Sequence, residues 1–178
     1  MNPLNLNDIQ TFDVAVIGGG PAGATAADDL ALKGFSVLLL DRAGRIKPCG
    51  GAIPPRAMKD FQIPDSMLVA HATKARMISP TFKKVDIPID NGFVGLVDRC
   101  EFDEWLRERA QSHGADRRIG TFDHLEHLSD GTAIVHYNGR HTAGDTETFP
   151  ATVRAKVVIG ADGAKSEVAR QNVRDAEK

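Results

Sequence analysis

Apolar positions along this chain come in short, punctuated runs. Phe12 to Ile17 reads FDVAVI, a β-prone run that stops at GGGPAG, and Ala22 to Lys33 then carries small residues and leucines at helical spacing. Pro21 suits a first helical position, where its missing N–H has no partner to lose, and Gly34 is placed to end the helix in the left-handed region. The next run, Ser36 to Leu40, is continuous rather than alternating, the pattern of a strand covered on both faces in a parallel sheet. Asp41 stands at its end. The order strand, glycine turn, helix, strand predicts one βαβ unit.

Residues 42 to 60 hold three prolines and three glycines around KPCGGAIPP and are read as a shaped loop. Between 76 and 99, ARMIS, KKVDIPI and GFVGLVD predict short strands, with Pro88 at an edge or a strand end. Asp98 three residues before Glu101 resembles a capping box, and Phe102, Trp105, Leu106 and Ala110 fall on one face of a helix that runs to Gly114. Asp116 to Tyr137 alternates around the turn pair Asp130-Gly131 and predicts a hairpin. Asn138 to Thr148 is read as its exposed loop. Lys156 to Ile159 is a last apolar strand leading into GADG, and a polar helix starts near Ser166. Neither repeats nor a linker mark a second complete domain.

Composition narrows the function classes. The chain has 178 residues, 42% hydrophobic and 26% charged, with a net charge of −2, which excludes a disordered, collagen-like or disulfide-stapled chain. One Trp, one Tyr and no basic excess argue against a nucleic-acid partner. The apolar runs fall far short of the ~18 residues of a membrane span, and MNPLNLNDIQ lacks the charged and apolar parts of a secretory signal, so a cytoplasmic protein is expected. Cys49 and Cys100 form no CxxC and are expected as thiols, Cys100 buried or half-buried beside a helix start. His124 and His127 are three apart, on opposite faces of a strand, so no metal site is expected. Neither GxSxG nor HExxH nor a P-loop lysine is present.

The chemistry gathers at Gly18-x-Gly20-x-x-Gly23. It lies between a strand and a helix, with Asp41 following 23 residues after Gly18, near the ~20 of a dinucleotide fingerprint. Gly18 permits the tight turn, Gly20 offers bare backbone to a pyrophosphate, and Gly23 lets the helix pack on the strand. Free N–H groups and the helix dipole face the phosphates, and Asp41 accepts hydrogen bonds from an adenosine ribose. The plainer alternative is a glycine-rich turn that binds nothing. A carboxylate at 41 repels a 2′-phosphate, which favours FAD or NAD over NADP. Arg42 is read as a solvated loop residue, its alternative being acceptance of that phosphate. Only one fingerprint is present, so if NADPH is used it must visit another surface.

GGGPAG with Asp41, the loop KPCGGAIPP, the segment VDRCEFDEWLRERA and the late GADGAKS together resemble the flavin-dependent geranylgeranyl reductases, nearest to those acting on (bacterio)chlorophyll or geranylgeranyl diphosphate. The resemblance runs from Phe12 to Arg170. It implies an α/β fold: a Rossmann-like FAD-binding domain of the glutathione-reductase-like and aromatic-hydroxylase-like group, with inserted strands. It also implies FAD as cofactor, NADPH as hydride donor, and reduction of a geranylgeranyl group to phytyl, with peripheral association to photosynthetic membranes through the lipophilic substrate. By that likeness Gly18, Gly20, Pro21, Ala22, Gly23 and Asp41 hold the ADP half, Arg99 faces the cofactor, and Asp162 with Gly163 approaches the pyrophosphate and ribityl region. Arg99 as an ordinary ion-pair partner and Asp162 as a helix cap are the alternatives. Cys49 beside the ring is either the acid that protonates the alkene or a small packing residue where Gly50 and Gly51 allow close approach. Because the family continues past this length, residues 1–178 are expected to be the N-terminal part of the FAD domain, lacking a second flavin-contacting Gly-Asp segment and the substrate half. The competing classes are an aromatic monooxygenase and a dinucleotide-binding module without chemistry.

Overall fold

A computed structural model describes residues 9–43, 49–90 and 92–176. The chain forms two units, Met1–Arg45 with Asp103–Lys178, and Ile46–Phe102.

In the first unit, β1 (Thr11–Ile17), α1 (Pro21–Leu32) and β2 (Val37–Asp41) make the expected βαβ. The strands are parallel, with Ile17 opposite Leu40. Pro21 opens α1, and Gly34 follows it at φ +84°. The continuous apolar runs are explained by two cores. Ala15, Ile17, Leu38 and Leu40 point into one, shared with Val135, Tyr137 and Val153. Val14, Val16, Val37 and Leu39 point into the other, where Ala27 and Ala110 let helices approach closely. Asp28 of α1, 4% exposed, pairs with Arg109 at 2.8 Å and with His113, fastening α1 to the helix that carries Arg109 and to the turn that follows it.

Two long strands close this unit. β8 (Asp116–His127) begins parallel to β2 and continues antiparallel to β9 (Ala133–Arg140). β10 (Phe149–Gly160) begins antiparallel to β9 and continues parallel to β1, with Gly160 opposite Ile17. Each has one parallel and one antiparallel neighbour, and the five strands form a closed barrel in the order β1-β10-β9-β8-β2. The hairpin turn stands where Asp130-Gly131 placed it, Asp130 Oδ1 accepting from Thr132 N and Oγ1 at 3.0 and 2.6 Å. Two readings are corrected. Asn138 to Arg140 belong to β9, and β10 starts at Phe149 rather than Lys156, because pairing with β9 draws in a stretch that Pro150 and Arg154 keep from reading as a strand alone. After β10, Ser166 caps the short helix α4 (Glu167–Asn172).

The second unit contains β3 (Ala52–Ile53), α2 (Pro55–Asp60), β4 (Leu68–Ala72), β5 (Lys74–Ile78), β6 (Lys84–Pro88) and β7 (Val94–Val97). Its strands form a sheet of order β3-β7-β4 and a ribbon of β5 with β6, in which Pro88 ends its strand. The loop reading of 42–60 gives way at α2: Pro54 is its N-cap and Pro55 its first residue, positions where a missing N–H costs nothing. Residues 44–48 lie outside the described residues. β4 escaped the sequence reading because its residues are half-buried or exposed and pairing to β7 alone defines it. α3 (Arg99–Ser112) carries the chain from the second unit into the first, with Phe102, Leu106 and Ala110 buried as its spacing indicated.

Candidate nucleotide site

The site of the first unit lies beyond the C-terminal ends of three parallel strands. Gly18 N donates to Leu40 O at 2.8 Å and Ala161 N to Ile17 O at 2.7 Å, so the turn after β1 and the turn after β10 stand side by side. Gly18 has φ +108°, and a Cβ there would lie 2.4 Å from Ala161 O. At Gly23 a Cβ would lie 1.8 Å from Gly18 O, so only glycine lets α1 pack on its own turn. Gly20 differs: nothing lies within 4 Å of the place its Cβ would take. It is also the N-cap of α1, and no side chain caps that end. An uncapped N-terminus at bare backbone is an anion cradle, with Pro21, Ala22 and Gly23 forming its first turn.

Asp41 stands beside the cradle with its side chain 18% exposed. Its Oδ2 accepts from Gly19 N and its Oδ1 from Ala43 N, both at 2.8 Å, leaving each oxygen a lone pair for a further donor. Arg42 is exposed, and its carbonyl accepts from Arg140.

One feature of the site had no trace in the motif reading. Arg107, on α3, reaches into this turn with 9% of its side chain exposed. Its Nη1 donates to Gly19 O at 3.1 Å and lies 3.6 Å from Asp41 Oδ1. Nε and Nη2 donate to Glu104 Oε2 at 3.0 and 2.8 Å. Arg117 holds Glu104 from β8 through bonds of 2.6 and 3.0 Å. The Arg117 hydrogen bond, with Arg107 adding to it, holds the Glu104 carboxyl below its ordinary range against the opposing effect of burial.

Asp162 spends its carboxylate on α4, accepting from Ser166 Oγ and from Glu167 N at 2.7 Å and Val168 N at 3.3 Å. Its backbone adjoins Gly18, and Gly163, at φ +98°, opens onto free space. In the second unit, Gly51 has φ +66°, and its carbonyl accepts from Val97 N at 3.0 Å. A Cβ there would lie 2.1 Å from Val97 O. This pins the Cys49-Gly50-Gly51 stretch beside the end of β7, two residues before the half-buried Arg99. Cys49 and Gly50 are exposed, and Cys100 is exposed rather than buried. It sits in the first turn of α3, ahead of the buried stripe that begins at Phe102, with its N–H donating to Asp98 Oδ1 at 2.7 Å.

His124 stacks on His136 across β8 and β9 at 4.1 Å, and His127 pairs with Asn172. Among the described residues no group of three or more metal-type side chains converges, and no helix is long and apolar enough to cross a membrane.

The family described as FAD binding domain matches residues 11–175. A geranylgeranyl diphosphate reductase of Rhodobacter capsulatus is 57% identical over 157 residues, covering 88% of this chain and 39% of that protein. A chloroplastic geranylgeranyl diphosphate reductase of Arabidopsis thaliana is 40% identical over 166 residues, covering 88% and 35%. The chain thus spans under half the length of these two reductases. Among solved structures, a geranylgeranyl bacteriochlorophyll reductase-like protein of Thermoplasma acidophilum superposes with a TM-score of 0.79 at 28% identity, over 94% of this chain and 43% of that one.

Proposed function

The chain belongs to the FAD binding domain family, and on that premise we propose that it is the nucleotide-holding part of a flavin-dependent reductase of isoprenoid double bonds. The observation that carries this reading is the 57% identity to a protein named geranylgeranyl diphosphate reductase. Bound FAD supplies a ring that accepts and returns a hydride, with NADPH as the donor. The residues of this chain bind and orient it. The uncapped end of α1 and the bare backbone at Gly20 receive the pyrophosphate, Asp41 accepts from the adenosine ribose, and Gly163 with the Asp162 backbone borders the same opening. By the resemblance, Arg99, Gly50 and Gly51 would contribute to holding the ring, and Cys49 would hold at Sγ the proton that double-bond reduction requires. The substrate is the geranylgeranyl group of (bacterio)chlorophyll or of geranylgeranyl diphosphate, taken to phytyl by a cytoplasmic enzyme that touches the membrane through that lipid.

The oxygen-activating alternative is carried by fold alone, through neighbours such as a p-nitrophenol 4-monooxygenase at 20% identity. Titration of the chain with FAD and with FMN tests the nucleotide part. FAD fluorescence is expected to quench and FMN fluorescence to stay, since FMN lacks the ADP half; no response to FAD refutes the reading. In a protein of the relatives' length, Cys49→Ala is expected to keep FAD while slowing double-bond reduction by about 10²- to 10⁴-fold, the contribution of a general acid. An unchanged rate removes that role.

A further inference from the structure

We propose that Arg107 is the positioning residue of the nucleotide site, setting through Asp41 and Gly19 the preference for an unmodified adenosine ribose; this rests on the FAD reading above. Gly18, Gly19 and Gly20 make the most freely rotating stretch a chain can have, yet a fingerprint works only if its donors and acceptors point one way. The N–H of Gly19 is held by Asp41 at 2.8 Å and its carbonyl by Arg107 at 3.1 Å. A trans peptide is planar, so fixing the Gly19 carbonyl fixes the Gly20 N–H in the opposite direction. The same nitrogen of Arg107 stands 3.6 Å from Asp41 Oδ1. One guanidinium thus sets both the carboxylate that meets the ribose and the amide that opens the phosphate cradle.

The crowding at Gly19 is independent support. The fingerprint places no demand on this position, but a Cβ here would lie 2.7 Å from Asp41 Cβ, 2.8 Å from Asp41 Cγ and 3.0 Å from Arg107 Cδ. The middle glycine, Gly19, makes room for the Asp41 and Arg107 side chains. Glu104 fixes the far side of the guanidinium and is itself held by Arg117, so removing Arg107 leaves Glu104 paired.

The test is calorimetric binding of ADP and 2′-deoxy-ADP to the 178-residue chain and to Arg107→Met, Arg107→Lys and Asp41→Asn. Wild type is expected to prefer ADP by about tenfold, the loss of one charge-assisted hydrogen bond. In Arg107→Met both ligands weaken, and the preference falls to about twofold or less, as it does in Asp41→Asn. Adding Arg107→Met to Asp41→Asn should cost little further preference. A residue that merely stabilises the fold would weaken both ligands alike, and an unchanged tenfold preference in Arg107→Met overturns the proposal. Should Arg107→Met not fold, Arg107→Lys decides: its single ammonium keeps the charge but cannot hold Gly19 O and Glu104 together, so the preference must still fall. A wild-type chain that binds neither ligand refutes the nucleotide reading itself; one that binds both equally refutes the ribose role of Asp41 and this proposal with it.

Discussion

Gly20→Ala separates a glycine needed for ligand from glycines needed for the fold. At Gly20 the backbone has φ −69° and ψ 178°, a conformation open to any residue, and an added methyl meets nothing within 4 Å. Alanine is a poorer N-cap than glycine by about 0.5–1 kcal/mol, and restricting the unfolded chain returns about 0.4–1 kcal/mol. The variant is therefore expected to melt within about 2 °C of wild type, at roughly 2–4 °C per kcal/mol for a chain of this size. Its methyl, however, stands over the backbone that a pyrophosphate must approach, and FAD affinity should fall at least about tenfold, the loss of one charge-assisted bond. Gly23→Ala is the opposite case. Its Cβ would sit 1.8 Å from a backbone oxygen, α1 must lift from its turn, and overpacking costs of about 1–3 kcal/mol or more follow. Thermal melts without nucleotide, together with FAD titrations, read both. If Gly20→Ala binds FAD like wild type, the cradle is not where the phosphates lie.

Two further expectations concern the frame around the site. Asp13 is hydrogen-bonded by Lys156 at 2.7 Å and by the Ser36 N–H and hydroxyl, both at 2.9 Å, and these bonds, led by Lys156, hold its carboxyl down at about 2. A depressed carboxyl stabilises the fold above its ordinary 3.8 and ceases to do so as the pH falls to about 2; the urea midpoints of wild type and Asp13→Asn should differ at pH 6 and converge towards pH 2. A gap that persists at pH 2 refutes this account. Asp162→Ala removes the acceptor for two α4 amides and should cost about 0.5–2 kcal/mol without any nucleotide present; an unchanged melt means that Ser166 alone caps the helix.

What could be read from the chain was what is local. Strand β1, the glycine turn, α1 and β2 are contiguous, and each declares itself by run length, a proline at the helix start or a glycine at its end. The Asp130-Gly131 turn is likewise a short-range device, since Asp130 bonds Thr132 two residues on. β10 was legible only over Lys156 to Ile159, because its earlier half, FPATVRA, gains strand character from facing β9 and contains Pro150. β4 is defined by β7, more than twenty residues away. Cys100 is exposed although cysteine is a residue type that favours burial, because helix position decides burial and the first turn of α3 precedes its packed stripe.

The candidate site divides along the same line, with one exception. Gly18, Gly20, Gly23 and Asp41 are spaced by the βαβ unit and can be found without a structure. Arg107 lies 88 residues from the carbonyl it grips, on a helix whose apolar spacing draws the eye to Phe102, Leu106 and Ala110 instead. Nothing in its own neighbourhood marks it. Its trace is at the other end of the contact, in Gly19, a glycine more than the spacing requires. A side chain at that position would collide with Asp41 and with Arg107, so an unexplained glycine inside a fingerprint is the mark that a bulky group from elsewhere in the chain occupies the space. Here that group is charged and buried, with a carboxylate on either side. Such a residue serves the geometry of the turn, since a neutral side chain could fill the same volume without a charge to satisfy.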